Sequence, residues 1–393
     1  MAPFERTIWI VLDSVGIGAL PDAVDYDDVG RDTLGHIAKS RPVALPNLVR
    51  LGLANITPLA HLAPPASPEG CYGKGATHSP GKDTTTGHWE MAGIWLPQAF
   101  PVYKQGFPPE LMEQFERAIG RKTIGNKPAS GTEIIKELGE EHIRTGFPIV
   151  YTSGDSVFQI AAHEDVIPIA ELYRICEIAR KMLDGPHKVG RVIARPFTGT
   201  SGNFRRTERR HDYAVEPPHP MLMDVLVEKK VPIFGIGKIH DIYNGRGVEH
   251  YITTKSNADG MQKLHATMGE QKSGLIFTNL VDFDMLYGHR KDVEGFAKSL
   301  EEFDVLLAPL LNAMAPRDLL IITADHGCDP DPAWPTTDHS REYVPILTFS
   351  LGGKRGVNIG IRDTLADMGQ TIAENFGAQI PHGKSFLPEI SNF

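Results

Sequence analysis

Several short segments of the sequence are apolar almost throughout, and they restrict the possible fold more than any other feature. They are TIWIVLD (7–13), PIVYTS (148–153), VPIFGIG (231–237), GLIFTNLVD (274–282) and DLLIITAD (318–325). Because their apolar residues are continuous instead of alternating, we expect strands that are covered on both faces, as in a parallel sheet. Stretches with apolar residues at helical spacing, such as residues 293–314, lie between them. The alternation predicts an α/β fold.

Three of these strands run into aspartates. Asp13 ends the first, Asp282 and Asp284 follow the fourth, and Asp325 ends the last. Ligands of open α/β sheets bind at the carboxyl ends of the strands, so we expect these carboxylates to meet in one crevice. A single aspartate in such a place is a common turn residue. Three acidic strand ends, two of them with histidines nearby, favour a binding site.

The middle of the chain differs from both ends. It is interrupted by glycine and proline and carries a Gly/Arg-rich stretch at 195–214, yet it has strand and helix candidates of its own. A chain of 393 residues also exceeds the size at which one hydrophobic core stops growing. We therefore predict a discontinuous core domain of residues 1–100 and 216–393, and an inserted domain of residues 101–215.

Composition excludes several classes of protein. Asp and Glu outnumber Lys and Arg by 49 to 40, which argues against broad binding to nucleic acid or anionic membranes. The cysteines Cys71, Cys176 and Cys328 lie far apart without a C-x-x-C pair, which fits a reducing compartment and argues against a thiolate zinc site. No apolar run approaches the roughly 18 residues of a membrane span, and the N-terminal run is too short for a signal peptide. We expect a cytoplasmic protein, and the sequence indicates no protein partner.

Carboxylate and imidazole groups occur together in three segments, DFDMLYGHR, TADHGCD and TTDHSREYVP. With the first strand end they supply six candidate ligands. These are Asp13, Asp284, His289, Asp325, His326 and His339. Oxygen and nitrogen ligands suit manganese, magnesium or zinc, and six of them can hold two divalent ions for phosphoryl chemistry. Spacing alone excludes neither Asp282 nor Asp338 as a ligand.

The segment GKDTTTGHWEMAG (81–93) has three consecutive threonines. A hydroxyl bound to a divalent ion loses its proton more readily and becomes a nucleophile. At a helix N-terminus, free amide groups would also favour a phosphoryl group. The alternative is a threonine that merely caps a helix. Beside six metal-type ligands, a threonine that carries phosphate is the favoured interpretation.

At this point the sequence resembles the phosphopentomutases, a family of the alkaline phosphatase superfamily of metalloenzymes. The similarity extends over nearly the whole chain, with its most specific motifs in order. They include DSVGIGALPDA (13–23), GKDTTTGHWEMAG (81–93), YTSGDSVFQIAAHE (151–164), TNLVDFDMLYGHRKD (278–292) and TADHGCDP…TDHSREYVP (323–345). The resemblance implies an alkaline-phosphatase-like α/β/α core with a mostly parallel sheet, which binds two Mn²⁺ ions, and a smaller α/β cap domain inserted in its middle.

The resemblance also implies roles for individual residues. Thr85 would be the nucleophile, and Asp284 would be a ligand in place of Asp282. Asp13, Asp325 and His326 would bind one ion, and Asp284, His289 and His339 the other. The substrate-binding residues would be Ser153, Asp155, Val157, Arg191, Ile193 and Lys238. Arg206 and Arg210 are further candidate phosphate donors, although RRTERR leaves open which arginine binds and is equally compatible with a solvated basic loop.

The implied reaction moves phosphate between O1 and O5 of ribose or 2-deoxyribose. A phosphothreonine donates its phosphoryl group to a pentose monophosphate, and the resulting bisphosphate returns its other phosphate. A sugar bisphosphate such as glucose 1,6-bisphosphate would prime the enzyme, so its partners would be small-molecule pentose phosphates. Three alternatives remain: a hydrolase of the same superfamily, a cofactor-independent phosphoglycerate mutase with serine in place of Thr85, and a non-catalytic metal- or phosphate-sensing module.

Overall fold

The computed structural model describes residues 2–153 and 156–392. The chain forms two compact units, one of Met1–Ala99 with Pro217–Phe393 and one of Phe100–Glu216. The first contains a sheet of mostly parallel strands, and the second is a smaller inserted α/β unit. The predicted fold class is therefore confirmed. Within the described residues, no helix combines the length and the apolar character that crossing a membrane requires.

The strands and helices are numbered in chain order. The strands are β1 Arg6–Leu12, β2 Cys71–Gly75, β3 Ile124–Pro128, β4 Ile149–Thr152, β5 Val157–His163, β6 Arg191–Thr198, β7 Arg205–Arg206, β8 His211–Ala214, β9 Ile233–Ile236, β10 His250–Ile252, β11 Gly274–Leu280, β12 Asp318–Thr323, β13 Val344–Phe349 and β14 Asn358–Arg362. The helices are α1 Thr33–Ser40, α2 Pro46–Leu51, α3 Leu53–Ile56, α4 Thr84–Met91, α5 Pro109–Ile119, α6 Gly131–Thr145, α7 Ile169–Met182, α8 Leu222–Glu228, α9 Ile239–Ile242, α10 Asn257–Glu270, α11 Val293–Asn312, α12 Ala366–Asn375 and α13 Leu387–Ile390.

The sheet of the larger unit has the order β10-β9-β11-β1-β12-β13-β2-β14. All neighbours pair in parallel except β12 with β13 and β13 with β2. Every residue of the central strands β1, β11 and β12 is buried, which explains their continuous apolar sequences. Helices α1, α2 and α10 pack against α11, and helices α4 and α8 pack against α12. The helices that accompany the sheet therefore form two groups.

The register of the central strands brings their carboxyl ends level. Leu12 of β1 pairs with Leu280 of β11, and Val11 pairs with Thr323 of β12. β1 ends one residue before Asp13, β12 ends two residues before Asp325, and β11 ends four residues before Asp284. The segments that follow them therefore leave the sheet at the same edge.

The smaller unit is built around a mixed sheet of order β3-β4-β5-β6-β7, with β8 also paired to β6. Alternate residues of its strands enter two separate apolar cores. Phe158 and Val192 belong to a core that includes side chains of α5 and α7. Tyr151 and Phe197 belong to a second core with side chains of α6.

A buried ion pair fixes the starts of the two central strands. Arg6 Nε donates to Asp318 Oδ1 at 2.9 Å, and both side chains are 3% exposed. The Arg6 guanidinium also donates to the carbonyl groups of Met268 and Gln271 at 2.5 and 2.6 Å. Since β1 and β12 carry Asp13 and Asp325 at their far ends, this pair helps to set the register of the site.

We expect Asp318→Ala to lower the free energy of unfolding by about 3 kcal/mol, because it leaves the Arg6 charge buried without its partner. Glu5→Ala is the matched control, since Glu5 pairs with Arg317 on the exposed surface nearby, and should cost less than about 1 kcal/mol. Thermal and denaturant unfolding of the two variants measure the difference. Equal losses of stability would contradict a special role for the buried pair.

Candidate active site

The segments that follow β1, β11 and β12 bring three buried carboxylates together. Asp13 follows β1 directly, and Asp325 lies two residues beyond β12. Asp284 lies in a π-helical turn, Phe283–Tyr287, beyond β11. Such turns are rare and occur often at functional sites. The predicted convergence of the acidic strand ends is therefore present in the structure.

The first cluster consists of Asp13, Asp325 and His326. The Nε2 atom of His326 lies 3.5 Å from Asp13 Oδ1 and 3.3 Å from Asp325 Oδ2. All three side chains are buried, and their donor atoms lie close enough together to bind one ion.

The second cluster consists of Asp284, His289 and His339. Asp284 Oδ1 lies 3.4 Å from Nε2 of His289 and 3.2 Å from Nε2 of His339. The two Nε2 atoms are 3.0 Å apart, and the His339 ring stacks on His326 with 4.0 Å between centroids. The stacked rings join the two clusters, so the structure brings all six predicted ligands into one site.

Asp282 and Asp338, which sequence spacing did not exclude as metal ligands, make different contacts from these six residues. Asp282 turns away, and its Oδ2 accepts a hydrogen bond of 2.6 Å from the backbone N–H of Asn257. Asp338 is partly exposed and lies 3.7 Å from Lys82 Nζ. Cys328 was not expected at the site, yet its Sγ lies within 4.8 Å of ligand atoms of Asp284 and His289. The sequence analysis argued against a thiolate site because the cysteines lie far apart in the sequence, and it did not predict this position of Cys328.

Backbone carbonyl groups orient two of the imidazoles. His289 Nδ1 lies 2.6 Å from the carbonyl oxygen of Thr337, and His326 Nδ1 lies 3.1 Å from that of Gly327. A nitrogen that donates to a carbonyl carries the proton, which leaves the other nitrogen with its lone pair. In both residues that other nitrogen, Nε2, faces the carboxylates and is suited to bind a metal ion.

The charges at the site do not balance. Burial, and then the neighbouring Asp325 and Asp284 carboxylates, raise the pKa of Asp13 to about 8. Burial opposes ionisation of Asp284 too, but the imidazoles of His339 and His289 outweigh it and hold the pKa well below the usual value. The imidazoles therefore satisfy Asp284 but leave Asp13 without enough positive charge, and a bound cation would relieve the remaining repulsion.

One oxygen of each carboxylate supports the same conclusion. Asp13 Oδ1, Asp284 Oδ1 and Asp325 Oδ2 are buried and accept no hydrogen bond within the described parts of the chain. In two of these carboxylates the other oxygen accepts a hydrogen bond. Asn279 Nδ2 donates to Asp13 Oδ2 at 2.8 Å, and the Ser14 N–H donates to Asp325 Oδ1 at 3.1 Å. Buried carboxylate oxygens without donors, beside imidazole nitrogens, fit divalent ions such as manganese, magnesium or zinc.

The threonine segment begins helix α4, but no threonine caps it. Asp83 is the N-cap and accepts hydrogen bonds from Thr86 N–H at 3.0 Å and from the Thr86 hydroxyl at 2.6 Å. The Thr84 hydroxyl lies 3.2 Å from His326 Nε2. The partly buried Thr85 hydroxyl has no hydrogen-bond partner among the described residues. The interpretation of the run as a threonine cap is therefore wrong.

Helix α4 packs directly on the first cluster. A Cβ at Gly87 would overlap the carbonyl oxygen of Asp325, so glycine permits the close approach although it weakens helices in general. His88, to which the sequence assigned no role, is fully buried and has its Nδ1 2.9 Å from the Thr84 carbonyl oxygen and 3.2 Å from Asp325 Oδ2. The helix is thus fixed against the same carboxylate that the strand end supplies.

Glu342, which the sequence did not single out, joins the segments that carry the ligands. Its carboxylate accepts hydrogen bonds from the Thr33 hydroxyl at 2.7 Å and the Ser340 hydroxyl at 2.6 Å. A Cβ at Gly16 or Gly327 would overlap it. These neighbours lie close in sequence to Asp13, His326 and His339, so one buried carboxylate holds three ligand-bearing segments together. Its nearness to His339 in HSRE was the available sequence signal.

Most predicted substrate-binding residues lie in the smaller unit. Ser153 follows β4, Val157 and Arg191 are paired residues of β5 and β6, and Ile193 lies two residues further along β6. Arg206 lies in β7 and Arg210 just before β8, while Asp155 lies outside the described residues. Lys238 belongs to the larger unit, where it precedes α9 and its charge lowers the pKa of Asp13 against the effect of burial.

The sequence matches the model of the Metalloenzyme superfamily over residues 5–380, which is the class of protein that the carboxylate and imidazole clusters indicate. A phosphopentomutase of Desulfitobacterium hafniense is 58% identical over 388 residues, which cover 98% of this chain and 100% of that protein. A phosphopentomutase of Caldanaerobacter subterraneus subsp. tengcongensis is 56% identical, with 98% of each chain covered.

The chain belongs to the phosphopentomutase family and is an enzyme. Among solved structures, a phosphoglycerate mutase of Leishmania mexicana aligns with a TM-score of 0.49 at 13% identity, covering 97% of each chain. A similarity at that level carries no conclusion about this chain.

We expect the protonation of Glu342 to make stability depend on pH. Burial raises the pKa of Glu342 to about 7, although the hydroxyls of Ser340 and Thr33 favour the ionised form. Between the ordinary value of 4.5 and about 7, the folded chain therefore holds a proton that the unfolded chain has lost. The free energy of unfolding should fall as the pH rises through this range, by up to about 3 kcal/mol.

Glu342→Gln remains neutral at every pH and should not show this fall. Melting temperatures of both proteins between pH 5 and 8 test the prediction, because the difference between them should change in favour of the variant as the pH rises. If the melting temperatures of the two proteins change in parallel between pH 5 and 8, Glu342 does not hold the proton.

Proposed function

We propose that the chain interconverts ribose 1-phosphate and ribose 5-phosphate, and the 2-deoxyribose equivalents, through a phosphothreonine and a pentose bisphosphate. The observation that carries the proposal is 58% identity, over 98% of this chain, to a protein named phosphopentomutase. The site supports it, since six convergent metal-type ligands lie beside the start of a helix that carries three hydroxyls. We further propose a cytoplasmic location and a sugar bisphosphate, such as glucose 1,6-bisphosphate, as activator.

The proposed metal ligands form two sets. Asp13, Asp325 and His326 would hold one ion, and Asp284, His289 and His339 the other. Bound Mn²⁺ ions would supply positive charge to the transferring phosphoryl group and make a coordinated hydroxyl more acidic. The three carboxylate oxygens without donors support this assignment.

We propose Thr85 as the residue that carries the phosphate. The Thr86 hydroxyl is engaged by the N-cap Asp83, and the Thr84 hydroxyl contacts His326, whereas the Thr85 hydroxyl has no partner in the described structure. Thr85 also lies in the first turn of α4, where backbone N–H groups and the helix dipole favour a phosphate dianion.

In the proposed cycle, each step exchanges one P–O bond for another. The Oγ–P bond of phosphothreonine breaks while a hydroxyl of the pentose monophosphate forms a new O–P bond, and the proton of that hydroxyl passes to the departing Thr85 oxygen. The pentose bisphosphate then offers its other phosphate. The Thr85 oxygen displaces the sugar oxygen from phosphorus and returns the proton to it, which regenerates the phosphothreonine and releases the pentose monophosphate. The enzyme supplies position and charge, and the net reaction needs no further reactant.

We expect ribose 1-phosphate to be converted to ribose 5-phosphate when it is incubated with the protein, Mn²⁺ and glucose 1,6-bisphosphate. Phosphorus NMR distinguishes the two esters from each other and from inorganic phosphate. Free phosphate as the sole product would contradict the mutase proposal and indicate a hydrolase, in which water attacks the phosphoenzyme. No change in the substrate would leave only a binding function.

We also expect Thr85→Ala to lose turnover by at least about 10⁴-fold, because the group that carries the phosphate is gone. Metal analysis should still find two ions per chain, and mass spectrometry of the primed wild type should find phosphate on Thr85. Thr84→Ala and Thr86→Ala are the matched controls and should accept phosphate. If Thr84→Ala or Thr86→Ala is inactive and unphosphorylated while Thr85→Ala is active, the nucleophile is the threonine that the inactive variant lacks.

A further inference from the structure

Cys328 brings a thiol to the second cluster of candidate ligands. Its side chain is buried and forms no disulfide, and its Sγ lies within 4.8 Å of ligand atoms of Asp284 and His289. Cys71 donates instead to a backbone carbonyl at 3.3 Å, and Cys176 lies in an apolar core of the smaller unit. In the described part of the chain, Cys328 is thus the cysteine that joins carboxylate and imidazole ligands.

The backbone fixes the thiol in this position. The N–H of Cys328 donates to the Ser14 carbonyl at 3.1 Å and to the Thr33 hydroxyl at 3.2 Å. A Cβ at Gly288 would lie 2.8 Å from Sγ, so the glycine lets the sulfur approach the backbone next to His289. The thiol is therefore held against the turn that carries His289.

Asp284 and His289 present an oxygen and a nitrogen to the same place. Asp284 is 8% exposed, and its Oδ1 accepts no hydrogen bond within the described residues. That oxygen lies 3.4 Å from His289 Nε2, which keeps its lone pair because Nδ1 lies 2.6 Å from the Thr337 carbonyl oxygen. The thiol itself has a long contact of 3.9 Å with the carbonyl oxygen of Asp338, which is weak enough for a metal ion to replace.

The two clusters therefore differ in chemical softness. The first, Asp13, Asp325 and His326, offers oxygen and nitrogen alone, which suit manganese and magnesium. A thiolate instead selects zinc and other thiophilic ions. The side chain of His289 is 31% exposed, so an ion from solvent can reach the set that contains sulfur.

We propose that Asp284, His289 and Cys328 form an alternative site for a thiophilic divalent ion such as Zn²⁺ or Cd²⁺. The thiol gives up its proton to solvent as sulfur binds the ion, and water completes a tetrahedral site. Ligand atoms in such a site lie roughly 3.5 Å apart, so small side-chain rotations close the set. Because Asp284 and His289 also belong to the second cluster, the thiophilic ion competes there with Mn²⁺. The inference rests on ligand geometry and is independent of the proposed reaction.

Titration of the Mn²⁺-loaded, full-length protein with Cd²⁺ tests the site. A cadmium–thiolate bond gives a charge-transfer absorption in the ultraviolet, which oxygen and nitrogen ligands do not give. We expect this absorption to saturate at one Cd²⁺ per chain, and electron paramagnetic resonance should detect the release of one Mn²⁺.

Cys328→Ser replaces the sulfur by oxygen and should lose the absorption and weaken Cd²⁺ binding at least about tenfold. Cys71→Ser is the matched control, because it changes another buried thiol that contacts a backbone carbonyl, and it should keep both. Both variants should bind Mn²⁺ within about twofold of wild type, since Mn²⁺ gains little from sulfur. Circular dichroism confirms that the variants are folded.

Absence of the charge-transfer absorption in the wild type would overturn the proposal, whatever the variants do. Equal absorption in Cys328→Ser would overturn it too, and so would a loss in Cys71→Ser, which would assign the ion to a different thiol. Release of Mn²⁺ without the absorption would mean that Cd²⁺ binds through oxygen and nitrogen alone. If Cd²⁺ binds through Cys328 but the protein does not interconvert pentose phosphates, the proposed function fails and the thiophilic site stands.

Discussion

The crowding of three buried carboxylates at one edge of the sheet is the constraint on which the rest of the site depends. Asp13, Asp284 and Asp325 each present one oxygen that no donor in the described chain satisfies. Buried groups of this kind cost several kcal/mol unless something else compensates them. Three imidazoles compensate part of the charge. The remaining negative charge suits the site to divalent cations, and cation binding would in turn stabilise the fold.

Such a site needs rigid support, because carboxylates that repel one another would separate if they could. Part of the support is a strained turn, in which buried Ser14 adopts a φ of 74° and points its N–H at Asp325. Strain of this sort persists only where the surroundings determine it. Glu342 supplies part of those surroundings by joining the segments near Asp13, His326 and His339. The site is therefore fixed in part by groups that lie outside the two clusters of candidate ligands.

The sequence predicted the central strands β1, β11 and β12 and the six residues that converge beyond them, because both leave local signals. A strand buried on both faces is continuously apolar, and the residue after it is at the edge where ligands bind. The supporting groups leave no such signal. Glu342 accepts a hydrogen bond from Thr33, which lies 309 positions away in the sequence. His88 contacts Asp325 because Gly87 lets helix α4 approach that residue closely. Cys328 was excluded by an argument from cysteine spacing, which does not test whether one thiol lies beside other ligands.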